Sequence, residues 1–351
     1  DYLDRTPSSA GSTTRWIVSV WCQRNTFGVD TGSAETIFSA GTSGNELWFQ
    51  FGTTDQLEFG ISQSSADRGK KYSSAKYRDV GWYHVCVSFD SASTVGPSNR
   101  IRLFVNGSEI TDLSSSTDTP SGQTTPVNAT LVQRIADYAV GGGGAAEMYM
   151  AQFTLLDNQS FQNGDLSITD LLDSFTYGTN GSQFAPKADT DMAALASAAG
   201  TNSVCLDFSN SSSLGLDSST KTNNYTANSM TSANQSVNTP SKVYPTVNPI
   251  TFIGSASSTL EEGNTKATVN DNGGIVISQP LPFYDLWYFE VNVTSNTSWY
   301  PGIGQQSALG YNSTGAWNNT TAETHVWLSD HPAGLFNNNG TSTSYPIASP
   351  T

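Results

Sequence analysis

The stretch from Gly81 to Thr111, GWYHVCVSFDSASTVGPSNRIRLFVNGSEIT, restricts what this chain can become more than any other. Tyr83, Val85, Val87 and Phe89 alternate with His84, Cys86 and Ser88, the period of two of a strand with one face in a core. Beyond a polar connection ending in Pro97, Ser98 and Asn99, the run Ile101 to Val105 alternates again and stops at Asn106 and Gly107. That pair favours a two-residue turn with positive φ at both centres. Two strands and a hairpin returning over Ser108 to Thr111 are expected, with His84 on the polar face of the first.

Similar runs recur along the chain. WIVSVWCQ at 16–23 is β-branched and aromatic, with Val18, Val20 and Cys22 set against Trp16, Ile17 and Trp21, and reads as a strand. Thr36 to Ala40, Glu46 to Phe51 and Gln56 to Ile61 are short strands split by TSGN and GTTD, which are turn chemistry. Leu113 to Val127, heavy in Ser, Thr and Pro, reads as a surface loop with no core to offer. Ala136 to Val140, four glycines at 141–144 and Ala145 to Leu156 read as strand, tight bend and long strand. Helices are expected at Ile168 to Phe175 and at Asp191 to Ala199, the second capped by Asp189 and Thr190 and ending at Gly200. Val204 to Phe208 supplies a further strand for the first unit.

A chain of 351 residues is long enough for two domains. Only 36% of it is hydrophobic and 13% charged, so its polarity comes from hydroxyls and amides. The expected fold is all-β: two antiparallel β-sandwich (jelly-roll) modules over 1–215 and 251–351, joined by a Ser/Thr/Asn/Pro linker over 216–250. In the second module GIVIS at 274–278, WYFEVNV at 287–293 and His325 to Leu328 are the strand signals.

The net charge of -15 leaves no basic footprint for phosphate, which speaks against nucleic acid and anionic membrane surfaces as partners. No apolar run of about 20 residues occurs, so membrane insertion is not expected. Cys22, Cys86 and Cys205 are an odd number without C-x-x-C spacing and read as small buried apolar residues.

Several blocks taken together resemble a known class. YLDRTPSSAGSTTRW, TIFSAG, DQLEFG, WYHVCVSFD and SNRIRLFVNGSEIT are similar to the laminin-G-like, concanavalin-like sandwich modules of structural proteins from marine tailed bacteriophages. The likeness continues through YGTNG at 177–181, LDFSNSSSLGLDSS at 206–219 and NTPSKVYPTVNP at 238–249; LWYFEVNV and YPGIG then resemble the start of a SPRY-type sandwich. The resemblance implies a virion surface, head-fibre or tail-fibre component, extracellular, in contact with other virion proteins and with host surface glycans. It also implies a homo-oligomer, with a trimer favoured. A SPRY-type module has further strands beyond the point corresponding to Thr351, so the second module is expected to be incomplete. A structural spacer without ligand is the alternative reading, and a polysaccharide-degrading enzyme a further one.

The residues themselves argue against the enzyme. Sandwich enzymes that cut polysaccharides need two carboxylates about 5–10 Å apart, and no E-x-D-x-x-E strand supplies them. Glu46, Glu58 and Glu290 stand alone and read as solvated strand charges, while Glu261 and Glu262 are adjacent. G-x-S-x-G and H-E-x-x-H do not occur, and His84, His325 and His331 have no partner at a recognised spacing. No catalytic residue and no cofactor are expected. Calcium has only two thin candidates, the turn Asp271, Asn272, Gly273 and the turn at Asp217. Glycan binding is the chemistry best served, because aromatic rings cover sugar faces while amides bond hydroxyls. Candidate glycan-binding residues are Trp299 and Tyr300 in one loop and Tyr311, Trp317, Asn318 and Asn319 in another. Trp48, Trp82 and Trp287 lie in strand patterns and read as core or sheet-face residues.

Overall fold

The computed structural model describes residues 1–161 apart from 80, 93, 95 and 142, then 176–177 and 185–241 apart from 237. Beyond these it describes the strand segments 247–253, 259–261, 266–268, 274–277, 302–304, 324–328, 335–338 and 341–344. The chain divides into two units, Asp1–Tyr244 with Glu261–Lys266, and Pro245–Leu260 with Ala267–Thr351.

The first unit contains β1 (Tyr2–Arg5), β2 (Arg15–Arg24), β3 (Glu35–Thr42), β4 (Asn45–Phe51), β5 (Gln56–Gln63), β6 (Ala66–Lys76), β7 (Trp82–Asp90) and β8 (Ile101–Val105). It continues with β9 (Ser108–Glu109), β10 (Leu113–Thr117), β11 (Gln133–Ile135), β12 (Met148–Asp157), β13 (Thr176–Tyr177), β14 (Ala185–Pro186), β15 (Val204–Leu206) and β16 (Thr226–Asn228). Eight strands form one sheet in the order β10-β6-β5-β4-β3-β11-β1-β16, and six form a second in the order β15-β12-β2-β7-β8-β9. Neighbours pair antiparallel throughout both sheets.

Alternation decides what lies between the sheets. Trp16, Val18, Val20 and Cys22 of β2 and Val85, Val87 and Phe89 of β7 enter the same apolar core as Leu47, Phe49, Phe51, Leu57, Phe59 and Ile61. Trp16 therefore shares the face of Val18 rather than opposing it; its ring stacks on Phe89 at 5.3 Å and its indole nitrogen donates to Thr125 Oγ1 at 2.9 Å. The hairpin after β8 has the expected turn, with φ of 48° at Asn106 and 76° at Gly107. All three cysteines are buried and free.

The other face of the six-stranded sheet is covered too. Ile17, Cys86, Phe104, Leu156 and Cys205 pack there against Phe161 and against Met192, Ala196 and Ala199 of the helix Asp189–Ala198 and its C-cap. His84, expected on a polar face, is only 1% exposed, with Nε2 2.7 Å from Ser19 Oγ. The Trp21 ring of the neighbouring strand β2, 5.2 Å away, and Ser19 enclose it, which alternation within β7 does not reveal. The helix itself starts earlier than expected, with Ala188 rather than Asp189 or Thr190 as N-cap.

Further differences have local causes. Leu113–Thr117 is not loop but an edge strand pairing with β6; an edge strand with no buried residue needs no apolar alternation. The rest of that segment contributes to the interior, with Val127 fully buried and Thr119, Gln123 and Thr125 nearly so. Ala136–Val140 is not a strand, because the ladder ends at Ile135 and Ala136 turns to a φ of 67°. Within the stretch read as linker, Thr226–Asn228 pairs with β1 at the edge of the larger sheet. The expected helix at Ile168–Phe175 lies outside the described residues.

In the second unit Val247–Ile253 pairs antiparallel with Gly274–Ile277. Gly302–Gly304, Thr324–Leu328, Leu335–Asn338 and Thr341–Ser344 form a four-stranded antiparallel sheet in that order.

Arg24, at the end of β2, is fully buried and bound at every nitrogen. Nε donates to Glu35 Oε2 at 2.6 Å, Nη1 to the Tyr77 carbonyl at 2.5 Å and Nη2 to Asp55 Oδ1 at 3.0 Å. Phe27 and Phe51 hold the guanidinium between rings at 4.9 and 4.5 Å. Asp55 also accepts from Arg78 Nε and from the Gly28 amide, both at 2.7 Å. Burial pushes its carboxyl up, but Arg78, Arg24 and that amide outweigh burial and hold it below the usual range.

Two predictions follow from these buried groups. Asp55→Ala strands Arg24 and is expected to cost about 3–5 kcal/mol in urea unfolding, while loss of the half-exposed Arg78 costs about 1 kcal/mol or less. Burial lowers His84 from 6.5 to about 3, so the unfolded chain takes up a proton that the folded one refuses as pH falls below 6.5. Stability should fall by about 1.4 kcal/mol per pH unit in that window, down to the folded value. Unfolding midpoints measured from pH 7 to 4 should show a shallower slope in His84→Asn.

Candidate functional site

The same alternation that fills the core sets the outer face of the eight-stranded sheet. Leu47, Phe49 and Phe51 turn inward, so Glu46, Trp48 and Gln50 of β4 turn outward. On β5 the outward positions are Glu58, Gly60 and Ser62. Register places Trp48 opposite Gly60 and Gln50 opposite Glu58. One strand further, Lys70 lies opposite Gly60 and Tyr72 opposite Glu58.

Trp48 lies across Gly60. A Cβ there would fall 2.2 Å from the indole Cζ2 and 2.4 Å from Cε2, so the ring occupies the space a side chain would need. The indole is partly exposed, as are Glu46, Gln50, Glu58 and Tyr72. Gln50 Nε2 donates to Glu58 Oε2 at 2.9 Å, and Trp48 lies near enough to Tyr72 to lower its pKa in part.

A loop completes one wall. Ser39 Oγ donates to the Asp137 carbonyl and accepts from the Ala139 amide, both at 2.8 Å, and the Thr36 amide donates to the Gly144 carbonyl at 2.9 Å. Held against β3 in this way, the loop brings Tyr138 near enough to Glu46 to feel its charge.

Burial pushes the Glu58 carboxyl up, opposed only in part by Gln50. It also raises Tyr72, with Glu58's charge adding to the effect and Trp48 opposing it. Burial raises Tyr138, reinforced by the charge of Glu46. Both phenols therefore stay neutral near pH 7 and can donate and accept. Two adjoining cations are engaged: Lys70 Nζ lies 3.2 Å from Asp67 and 5.8 Å from the Tyr72 centroid. Arg134 donates to Asp137 at 2.9 Å and lies 4.4 Å from the Tyr2 centroid.

Chemically this is an aromatic platform ringed by carboxylates, an amide and phenols. Glu46 stands four positions along β4 from Gln50, the partner of Glu58, which separates their backbone positions by roughly 13 Å at about 3.3 Å per residue, and the Glu58 carboxylate leans further away, over Gly52. Paired glycosidase acids stand about 5–10 Å apart.

Trp299, Tyr300, Tyr311, Trp317, Asn318 and Asn319 lie outside the described residues, as do Asp271, Asn272, Gly273, Glu290 and His331. Asp217 accepts from the amides of Cys205, Ser219 and Asn223 and from the Ser219 hydroxyl at 2.8–3.0 Å, which knits its loop to β15. Among the described residues no group of three or more His, Cys, Asp or Glu is placed to hold a metal ion. No described helix is long and apolar enough to cross a membrane. Glu46 and Glu58, read singly as solvated charges, belong with Trp48 to one face. The alternation of Glu46, Trp48 and Gln50 with Leu47, Phe49 and Phe51 was the available signal; the pairing with Gly60 was not.

Residues 1–141 match the family model described as the Concanavalin A-like lectin/glucanases superfamily, of laminin-G type. The sandwich is accordingly a concanavalin-like jelly roll. A search of curated proteins returns no match. Similar solved structures include the native heptameric SAP-like pentraxin from Limulus polyphemus, at 13% identity and a TM-score of 0.31, covering 44% of this chain and 69% of that one. Mouse laminin alpha1 domains LG4-5 match at 13% and 0.32, covering 45% and 39%. Ruminococcus gnavus IT-sialidase CBM40 matches at 12% and 0.31, covering 46% and 94%. At these identities and scores the functional argument rests on the site's own residues.

Gly60→Ala tests the packing under the platform. It should destabilise by about 1–3 kcal/mol, and the penalty should vanish in a Trp48→Ala background, as a double-mutant cycle in urea would report.

Proposed function

We propose that the first unit is a carbohydrate-binding sandwich, with a sugar ring stacking on Trp48 and its hydroxyls bonded by Glu46, Gln50, Glu58 and the two phenols. The observation that carries this reading is the partly exposed indole seated over Gly60 between acceptors on β4, β5 and the Tyr138 loop. The match of residues 1–141 to a superfamily of lectins and glucanases supports it. Binding without hydrolysis is favoured, because the Glu58 carboxylate leans over Gly52, away from Glu46, where the paired mechanism needs two acids about 5–10 Å apart.

The proposed setting is a virion surface, in a head fibre, a tail fibre or a decoration, with host surface glycans as ligand and other virion proteins as neighbours. It rests on the sequence resemblance to phage structural proteins, as does the SPRY-like character of the second unit. A homotrimer would multiply a weak affinity by presenting several sites at once. The loops bearing Trp299, Tyr300, Tyr311, Trp317, Asn318 and Asn319 are proposed as a second glycan surface.

Titration of the full chain against a polysaccharide panel tests the reading. Trp48→Ala should weaken binding about tenfold or more, the loss of about 1.5 kcal/mol of ring contact. Trp299→Ala and Trp317→Ala report on the second surface in the same titration. No binding to any panel glycan would leave the spacer reading in place.

A further inference from the structure

The charge around Trp48 narrows the class of glycan that can lie there, an inference that rests on the carbohydrate-binding reading above. We infer that this face takes uncharged glycans and rejects those bearing uronate, sulfate or sialate groups.

Glu46 and Glu58 stand on either side of the Trp48–Gly60 pair in the register, the Glu58 carboxylate leaning over Gly52, and both phenols nearby are neutral. A neutral sugar offers hydroxyls that donate to carboxylates, and charge-assisted hydrogen bonds of this kind are the stronger sort. An anionic sugar puts a like charge against them. Half-burial of Glu58 makes that encounter less screened than on an open surface.

Two of the nearby cations are already engaged. Lys70, directly across from Gly60, is already shared between Asp67 and the Tyr72 ring. Arg134 is held by Asp137 and the Tyr138 carbonyl, which anchors the loop. A net charge of -15 adds a long-range field of the same sign.

The test compares the best-binding neutral polysaccharide with its own sulfated derivative, for example dextran against dextran sulfate, by calorimetry on the full chain at 20 and 300 mM salt. The readout is the part of the binding lost in Trp48→Ala. Affinity for the sulfated chain should be at least tenfold weaker at low salt, and the gap should narrow at high salt. Glu58→Gln, which keeps shape and removes charge, should close the gap by several fold with its unfolding midpoint preserved. Equal or tighter Trp48-dependent binding of the sulfated chain overturns the inference while leaving the carbohydrate reading intact, and so does a gap indifferent to Glu58→Gln and to salt. Absence of Trp48-dependent binding to either class removes the reading and the inference together.

Discussion

The first unit depends on one buried cation. Arg24 ends β2 in the smaller sheet, yet its guanidinium is bound by Glu35 from β3 and by Asp55 from the turn before β5, both in the larger sheet. The two sheets are thus joined by directional bonds as well as by apolar packing. Burying such a group is costly unless each donor is met. Here Glu35, Asp55 and the Tyr77 carbonyl meet them and two phenyl rings close over the plane. The hydrophobic core favours closure of the sandwich but is tolerant of small slips. The Arg24 network tolerates few, and so fixes how one sheet sits on the other.

That alignment determines where a ligand could lie. The smaller sheet is covered on its inner side by the larger sheet and on its outer side by Phe161 and the helix Asp189–Ala198. The larger sheet keeps a row of partly exposed side chains along β4, β5 and β6. The alternating residues that bury Leu47, Phe49 and Phe51 hold Glu46, Trp48 and Gln50 outward on a rigid support. A platform on strands has less freedom than one on loops, so little ordering entropy opposes binding.

Strands with one buried face were legible in the sequence, because their period is written in neighbouring residues. The hairpin at Asn106 and Gly107 was legible for the same local reason. His84 was not, since nothing within β7 announces the Trp21 ring and Ser19 hydroxyl that β2 brings against it. The edge strand Leu113–Thr117 escaped notice because a strand that buries nothing carries no apolar signature. At the candidate site each residue was visible and the constellation was not: joining Trp48, Gly60, Glu58 and Tyr138 requires strand register and the seating of a loop. The aromatic loops near Trp299 and Trp317 lie outside the described residues.

The placement of β1 has a mechanical consequence. This short strand lies between β11 and β16, with Tyr2 paired to Asn228 and Asp4 to Thr226. Tyr2 and Asn228 are therefore neighbours at one end of an antiparallel pair. Tension applied at Tyr2 and Asn228 would peel β16 away one backbone bond at a time, where a load along opposed ends would have to shear the whole ladder at once. The edge would yield first and gently, extending the chain while Arg24 and the sandwich behind it remain closed.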